Sequence, residues 1–139
     1  MPRLSRYFIR AALCYLVAGF TVGTLLLLDK AVALHPRLWL WLPAHIEFLL
    51  LGFMLQLVMG VAYWILPRFR NPPVRGRSRA AWLAFALLNA GVIAVSVSAL
   101  FGTPVFLTLL GRLSETGSAL AFAVHAWPRV KPTELPPPG

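Results

Sequence analysis

Four apolar stretches, at residues 7–28, 43–66, 79–101 and 104–127, occupy most of this 139-residue chain. Each is close to the roughly 20 residues that an α-helix needs to cross a bilayer's hydrocarbon core. Such stretches constrain the fold strongly. A backbone in lipid must satisfy its own polar groups, which only helices and closed barrels do. Hydrophobic residues make up 59 % of the chain and charged residues 12 %, which excludes an ordinary soluble domain. The expected fold is an all-α membrane protein: a four-transmembrane-helix bundle over residues 1–128, with residues 129–139 as a disordered, proline-rich tail. The first stretch has too long an apolar run for a secretory signal, and no small-residue cleavage site follows it. It is therefore read as a retained span.

A net charge of +9 would suggest a nucleic-acid partner if it were spread evenly. It is clustered instead. Arg3, Arg6 and Arg10 precede the first span; Arg68, Arg70, Arg75, Arg77 and Arg79 lie between the second and third; Arg129 and Lys131 follow the fourth. The first loop holds only Lys30 and Arg37 against Asp29, and the last loop holds no charge. By the positive-inside rule, both termini and the middle loop are cytoplasmic. This predicts a multi-pass protein of a bacterial-type plasma (inner) membrane, with the lipid bilayer as its partner and no nucleic acid. A single cysteine, Cys14, excludes an intrachain disulfide or a thiolate metal cluster.

The second stretch carries the most chemistry. It reads P-A-H-I-E-F-L-L-L-G-F-M-L-Q-L-V-M-G-V-A-Y-W-I-L-P from Pro43 to Pro67. At about 100° per residue, His45, Phe48, Leu49, Gly52, Gln56, Met59 and Tyr63 share one face, with Glu47 roughly opposite. An imidazole with a side-chain-free notch at Gly52 two turns away suits a bulky planar cofactor. It equally suits a tightly packed helix pair. Gly19 and Gly23, at G-x-x-x-G spacing in the first span, read as ordinary close packing or as a dimer face. Trp39 and Trp41 fit the aromatic belt at a membrane boundary. His35, in the same loop, reads as a solvated histidine and as a secondary candidate ligand for iron or copper.

Asn89 in the third span is expected to hydrogen-bond a neighbouring helix, and F-G-T-P at 101–104 to turn tightly into the fourth. That span holds Arg112 and Glu115, three residues apart and able to pair on one helix surface. Ionisable groups inside a membrane face the bundle interior and suggest function. The alternative is that they neutralise each other, or Glu47, and set helix register. Gly111, Ser118 and His125 form a heptad-spaced line suited to close packing, with His125 an interfacial histidine before Trp127-Pro128 and, like His35, a secondary candidate metal ligand. About twenty residues of helix depth, on the order of 30 Å, separate His45 from His125. Within one chain the two histidines cannot ligate the same iron.

The run His45-Ile-Glu-Phe-Leu-Leu-Leu-Gly-Phe-Met, continued by Gly60-Val-Ala-Tyr-Trp-Ile-Leu-Pro67, resembles the second transmembrane helix of the haem–copper oxidase and nitric oxide reductase catalytic subunits. It also resembles short proteins similar to the cbb3-type catalytic subunit, and the haem-associated NnrS membrane proteins. The resemblance covers about 25 residues and, more loosely, the four-span unit. In that family this histidine ligates a low-spin haem, so the resemblance implies His45 as a haem b ligand. The family's catalytic subunits have twelve or more spans and a histidine cluster around a second metal. With four spans and three scattered histidines, this chain lacks that binuclear centre, which argues against an oxidase reaction.

Three functions follow as expectations. The first is a haem-b-binding membrane protein in electron transfer or in sensing or handling a diatomic gas. In it His45 binds iron beside Gly52, Glu47 and Arg112 serve the propionates or a proton path, and the chain forms a homodimer with the haem near its interface; a respiratory-chain protein is a further expected partner. The second is a cofactor-free accessory subunit of a respiratory complex, and the third a small proton- or ion-conducting bundle using Glu47 and Glu115.

Overall fold

The structure is a computed structural model, and it describes residues 1–67, 78–102 and 104–130. Four long helices run antiparallel in sequence: α1 (Arg3–Val32), α2 (Leu38–Ile65), α3 (Ser78–Phe101) and α4 (Val105–Ala126). No strand occurs among the described residues. The basic loop at 68–77 and the tail from Lys131 onward lie outside them.

The expected all-helical architecture is present; among the described residues three helices, α1, α2 and α3, are long and apolar enough to cross a membrane, where four were expected. Between 22 % and 39 % of their most apolar windows is buried within the chain. The remaining apolar surface, including Leu13, Val17, Phe20, Leu50, Val58 and Ile93, faces outward, where it needs a nonpolar surrounding. The fourth expected span forms a helix of 22 residues, but Arg112, Glu115 and several small polar residues dilute its apolar run.

Prolines and glycines set the ends. Leu66 adopts ψ 140°, leaving the helix just before Pro67, because proline's ring disfavours the α region for its predecessor. Pro43 does not begin α2. It sits in the first α-helical turn, after a 3-10 turn over Leu38–Trp41, where its missing N–H costs nothing. Gly102 closes α3 at φ 63°, donating its N–H to Ser98 O at 3.0 Å. At the end of α1 the same left-handed role falls to Ala33, at φ 49°.

Glycines pack the helices of one chain together. A Cβ added at Gly19 would lie 2.5 Å from Leu49, one at Gly52 2.6 Å from Tyr15, and one at Gly60 2.7 Å from Phe8. These glycines bring α1 against α2. In α3 and α4, Gly91 and Gly111 face each other's backbone: a Cβ on Gly91 would lie 2.9 Å from Gly111 O. Ser114 and Ser118 then donate to Leu87 O at 2.9 Å and Ala84 O at 2.7 Å. The Gly111–Ser118–His125 line is buried as expected. The Gly19–Gly23 pair and Gly52 are occupied from within the chain, so they supply neither a dimer face nor an open notch here.

The bundle's ends are distinct. Ser5 donates to Gly60 O at 2.7 Å, the Tyr7 and Trp82 rings lie 5.7 Å apart, and Arg129 donates to Pro67 O at 2.9 Å. The start of α1, the end of α2, the start of α3 and the end of α4 therefore share one end, with Arg3, Arg6, Arg10, Arg79 and Arg129.

Candidate functional site

Two groups of polar side chains lie toward the opposite end, and α2 supplies a member of each. Between them and the C-terminal half of α2 (Gln56–Ile65), residues Phe48–Leu55 form a π-helix. Its N–H groups bond five residues back, a geometry that recurs at functional sites.

The first group is centred on His45. Its Nδ1 lies 2.8 Å from Gly19 O on α1. A carbonyl only accepts, so Nδ1 carries the hydrogen, and in the neutral ring Nε2 is then the nitrogen with the lone pair. The ring fits because α1 has no side chain at Gly23, where an added Cβ would lie 2.6 Å from the ring's Cε1. The other two histidines differ. His125, 1 % exposed, stacks on Tyr63 at 5.1 Å between ring centres. Its Nε2 lies 2.7 Å from Arg129 Nη1 and accepts from it, so that lone pair is engaged. His35 accepts at Nδ1 from the Arg37 N–H at 3.1 Å. From His45 to Tyr63, the ring on which His125 stacks, is roughly 27 Å along α2 at 1.5 Å per residue.

The second group joins α2 to α4. Arg112 Nη1 lies 2.8 Å from Glu47 Oε2 and 2.8 Å from Glu115 Oε2. Glu47 is 3 % exposed and Glu115 8 %, whereas Arg112 is 50 % exposed. Gly91 on α3 makes room, since a Cβ there would lie 2.6 Å from Glu115 Cγ. The remaining oxygens, Glu47 Oε1 and Glu115 Oε1, are buried with no hydrogen-bond partner among the described residues. Arg112 thus pairs with Glu115 at i,i+3 and with Glu47 across helices, one cation to two carboxylates. Its guanidinium faces these carboxylates.

A neutral network lies deeper. Tyr15 Oη donates to Asn89 Oδ1 at 3.1 Å, Gln56 Nε2 donates to the same oxygen at 3.4 Å, and Asn89 Nδ2 donates to Phe85 O at 2.8 Å. This supplies the interhelical bond expected of Asn89. Tyr15 also fills the notch at Gly52 and stacks on Phe48 at 5.9 Å.

From the sequence, Arg129 reads only as a topology charge. It is 3 % exposed and caps the end of α2, donating to Pro67 O, Leu66 O and Tyr63 O. A basic residue just after Trp127-Pro128 was the available signal. No acceptor for it could be named from sequence, because its partners are main-chain carbonyls more than sixty residues away.

Toward a metal or haem the described residues bring His45 alone, its Nδ1 held by Gly19 O at 2.8 Å, a kind of contact that orients metal-bound histidines. Among the described residues no three His, Cys, Asp or Glu side chains gather to hold a metal ion. Compared with protein-family models, curated proteins and solved structures, the chain matches none.

Proposed function

We propose that this chain is a multi-pass membrane protein that binds haem b through His45, for one-electron transfer or for sensing or handling a diatomic gas. The observation that supports this reading most is the Nδ1–Gly19 O contact of 2.8 Å. It holds the ring, assigns its hydrogen and leaves Nε2 as the donor. When bound, the haem would supply the electron-carrying or gas-binding chemistry. The chain's own part is to orient the ring: Gly23 admits it and Gly19 anchors it. The resemblance of residues 45–67 to the low-spin haem helix of the oxidases is consistent with this assignment.

The membrane reading has all four helices crossing, with both termini and the basic loop on the cytoplasmic side of a plasma membrane. One chain provides one such ring, so the same reading assigns a homodimer whose second copy adds helices around the haem. Gly19, Gly23, Gly52 and Gly60 are used within each chain, so the dimer contact lies elsewhere.

The test is the visible spectrum of the purified protein reconstituted with haem. His45→Ala is expected to abolish the Soret band and the reduced α and β bands, whereas His125→Ala leaves them. A full spectrum in the His45 variant would refute the assignment.

A second reading is favoured by the Arg112–Glu47–Glu115 group: a cofactor-free bundle that moves protons or ions, or serves as an accessory subunit. Buried carboxylate oxygens without partners are costly to keep in a membrane helix. A protein with no absorbance in the Soret region, but with proton or ion flux in vesicles lost in Glu115→Gln, would select conduction. A protein with neither would select the accessory role.

A further inference from the structure

Arg3, Arg6 and Arg10 open α1, and together with Tyr7 they line a cavity of about 180 Å³. At about 100° per residue the three arginines fall within a sector of about 60°. All three are exposed. Among the described residues none of their guanidinium groups makes a hydrogen bond or ion pair.

Two features make this cluster incomplete without an anion. The N-terminus of a helix carries partial positive charge and favours acidic neighbours, yet α1 has no acidic residue in its first turn and no capping side chain. The chain has only four acidic residues. Asp29 and Glu47 lie toward the far end, Glu115 is engaged by Arg112, and Glu134 lies outside the described residues.

The same face continues downward as apolar surface. Leu13, Val17 and Phe20 are all exposed and stand below the arginines on that side of α1. From Arg10 to Phe20 is roughly 15 Å at 1.5 Å per residue, about half the thickness of a hydrocarbon core. The Tyr7–Trp82 ring pair, 5.7 Å between centres, lies at the level of the arginines, as an aromatic belt does at the headgroup boundary. A cationic cradle above an apolar track one leaflet deep has the shape of an anionic amphiphile.

We infer that Arg3, Arg6, Arg10 and Tyr7 form a binding site for an anionic phospholipid. The phosphate sits among the guanidinium groups and an acyl chain lies along Leu13, Val17 and Phe20. A soluble phosphate or an acidic protein segment would match the arginines alone; the track beneath them commits the site to a lipid. The inference does not depend on haem at His45.

The test uses the full chain in bilayer nanodiscs containing equal amounts of phosphatidylglycerol and phosphatidylcholine, with retained lipid counted by native mass spectrometry. The wild type is expected to keep one phosphatidylglycerol preferentially. Juxtamembrane basic residues contribute about 1 kcal/mol each, so Arg3→Gln/Arg6→Gln/Arg10→Gln should reduce that preference roughly 100-fold. Arg68→Gln/Arg70→Gln/Arg75→Gln removes equal charge from the loop and should leave it within a few-fold. Equal loss in both variants would show a general charge effect and overturn the site, as would displacement of the lipid by excess inorganic phosphate. A second measurement needs no substitution: phosphatidylglycerol with a photoreactive acyl chain should label residues 13–20 of the wild type. Labelling confined to other helices would overturn the placement.

Discussion

Replacing Arg112 should destabilise the bundle far more than replacing either of its carboxylate partners. The two Oε2 atoms each lie 2.8 Å from one guanidinium nitrogen, so they are no more than about 5.6 Å apart. Two negative charges at that separation repel by roughly 3 kcal/mol at an effective dielectric of about 20. Arg112 offsets this repulsion, and removing it leaves two deeply buried carboxylates with no cation. Breaking a buried pair from one side costs about 3–5 kcal/mol; the half-exposed arginine argues for the lower end. Arg112→Gln should therefore cost about 3 kcal/mol. Glu47→Gln acts in the opposite sense on charge: it leaves one cation facing one carboxylate and removes the repulsion. Its expected cost is under about 1 kcal/mol, the scale of one exchanged hydrogen bond. Arg112→Gln/Glu47→Gln/Glu115→Gln should recover most of the loss, since no uncompensated charge remains. The assay is reversible unfolding in mixed micelles, followed by circular dichroism as denaturing detergent increases. Equal costs for Glu47→Gln and Arg112→Gln would refute the charge argument. So would a triple variant no more stable than Arg112→Gln alone.

Four further substitutions, in two pairs, test the contacts between helices. Arg129→Gln should cost about 2–3 kcal/mol in the same assay, because the carbonyls ending α2 and His125 Nε2 lose a charged donor, and His125→Ala should cost less. Gly91→Ala should cost about 1–3 kcal/mol, because its Cβ would lie 2.9 Å from Gly111 O and 2.6 Å from Glu115 Cγ; Gly117→Ala, whose nearest neighbour would be a Leu87 side-chain atom at 3.4 Å, is the matched control and should be near neutral.

The helices were legible because the forces that make them are local. Apolar length, the prolines at positions 43, 67 and 104, and Gly102 act within a few residues, and α1 to α4 lie close to the stretches read from composition. The Arg112–Glu115 contact was legible for the same reason, being one turn of a single helix. What each helix face meets was decided only by docking. A glycine shows that something approaches closely, but not what: Gly52 receives Tyr15, and Gly23 receives the imidazole of His45. The helical wheel placed His45 and Gly52 on one face correctly, yet that face turns toward α1 rather than an open notch. The π-helical stretch had no signal in the residue pattern. Glu47 reaches Arg112 across 65 positions of sequence, and Arg129 reaches the carbonyls of α2 across a similar distance. Such contacts depend on which helices lie side by side and at what height, quantities that periodicity within one helix does not contain. Buried charge makes that dependence strongest, because a carboxylate in this interior is tolerable only where the folded chain brings a cation to it.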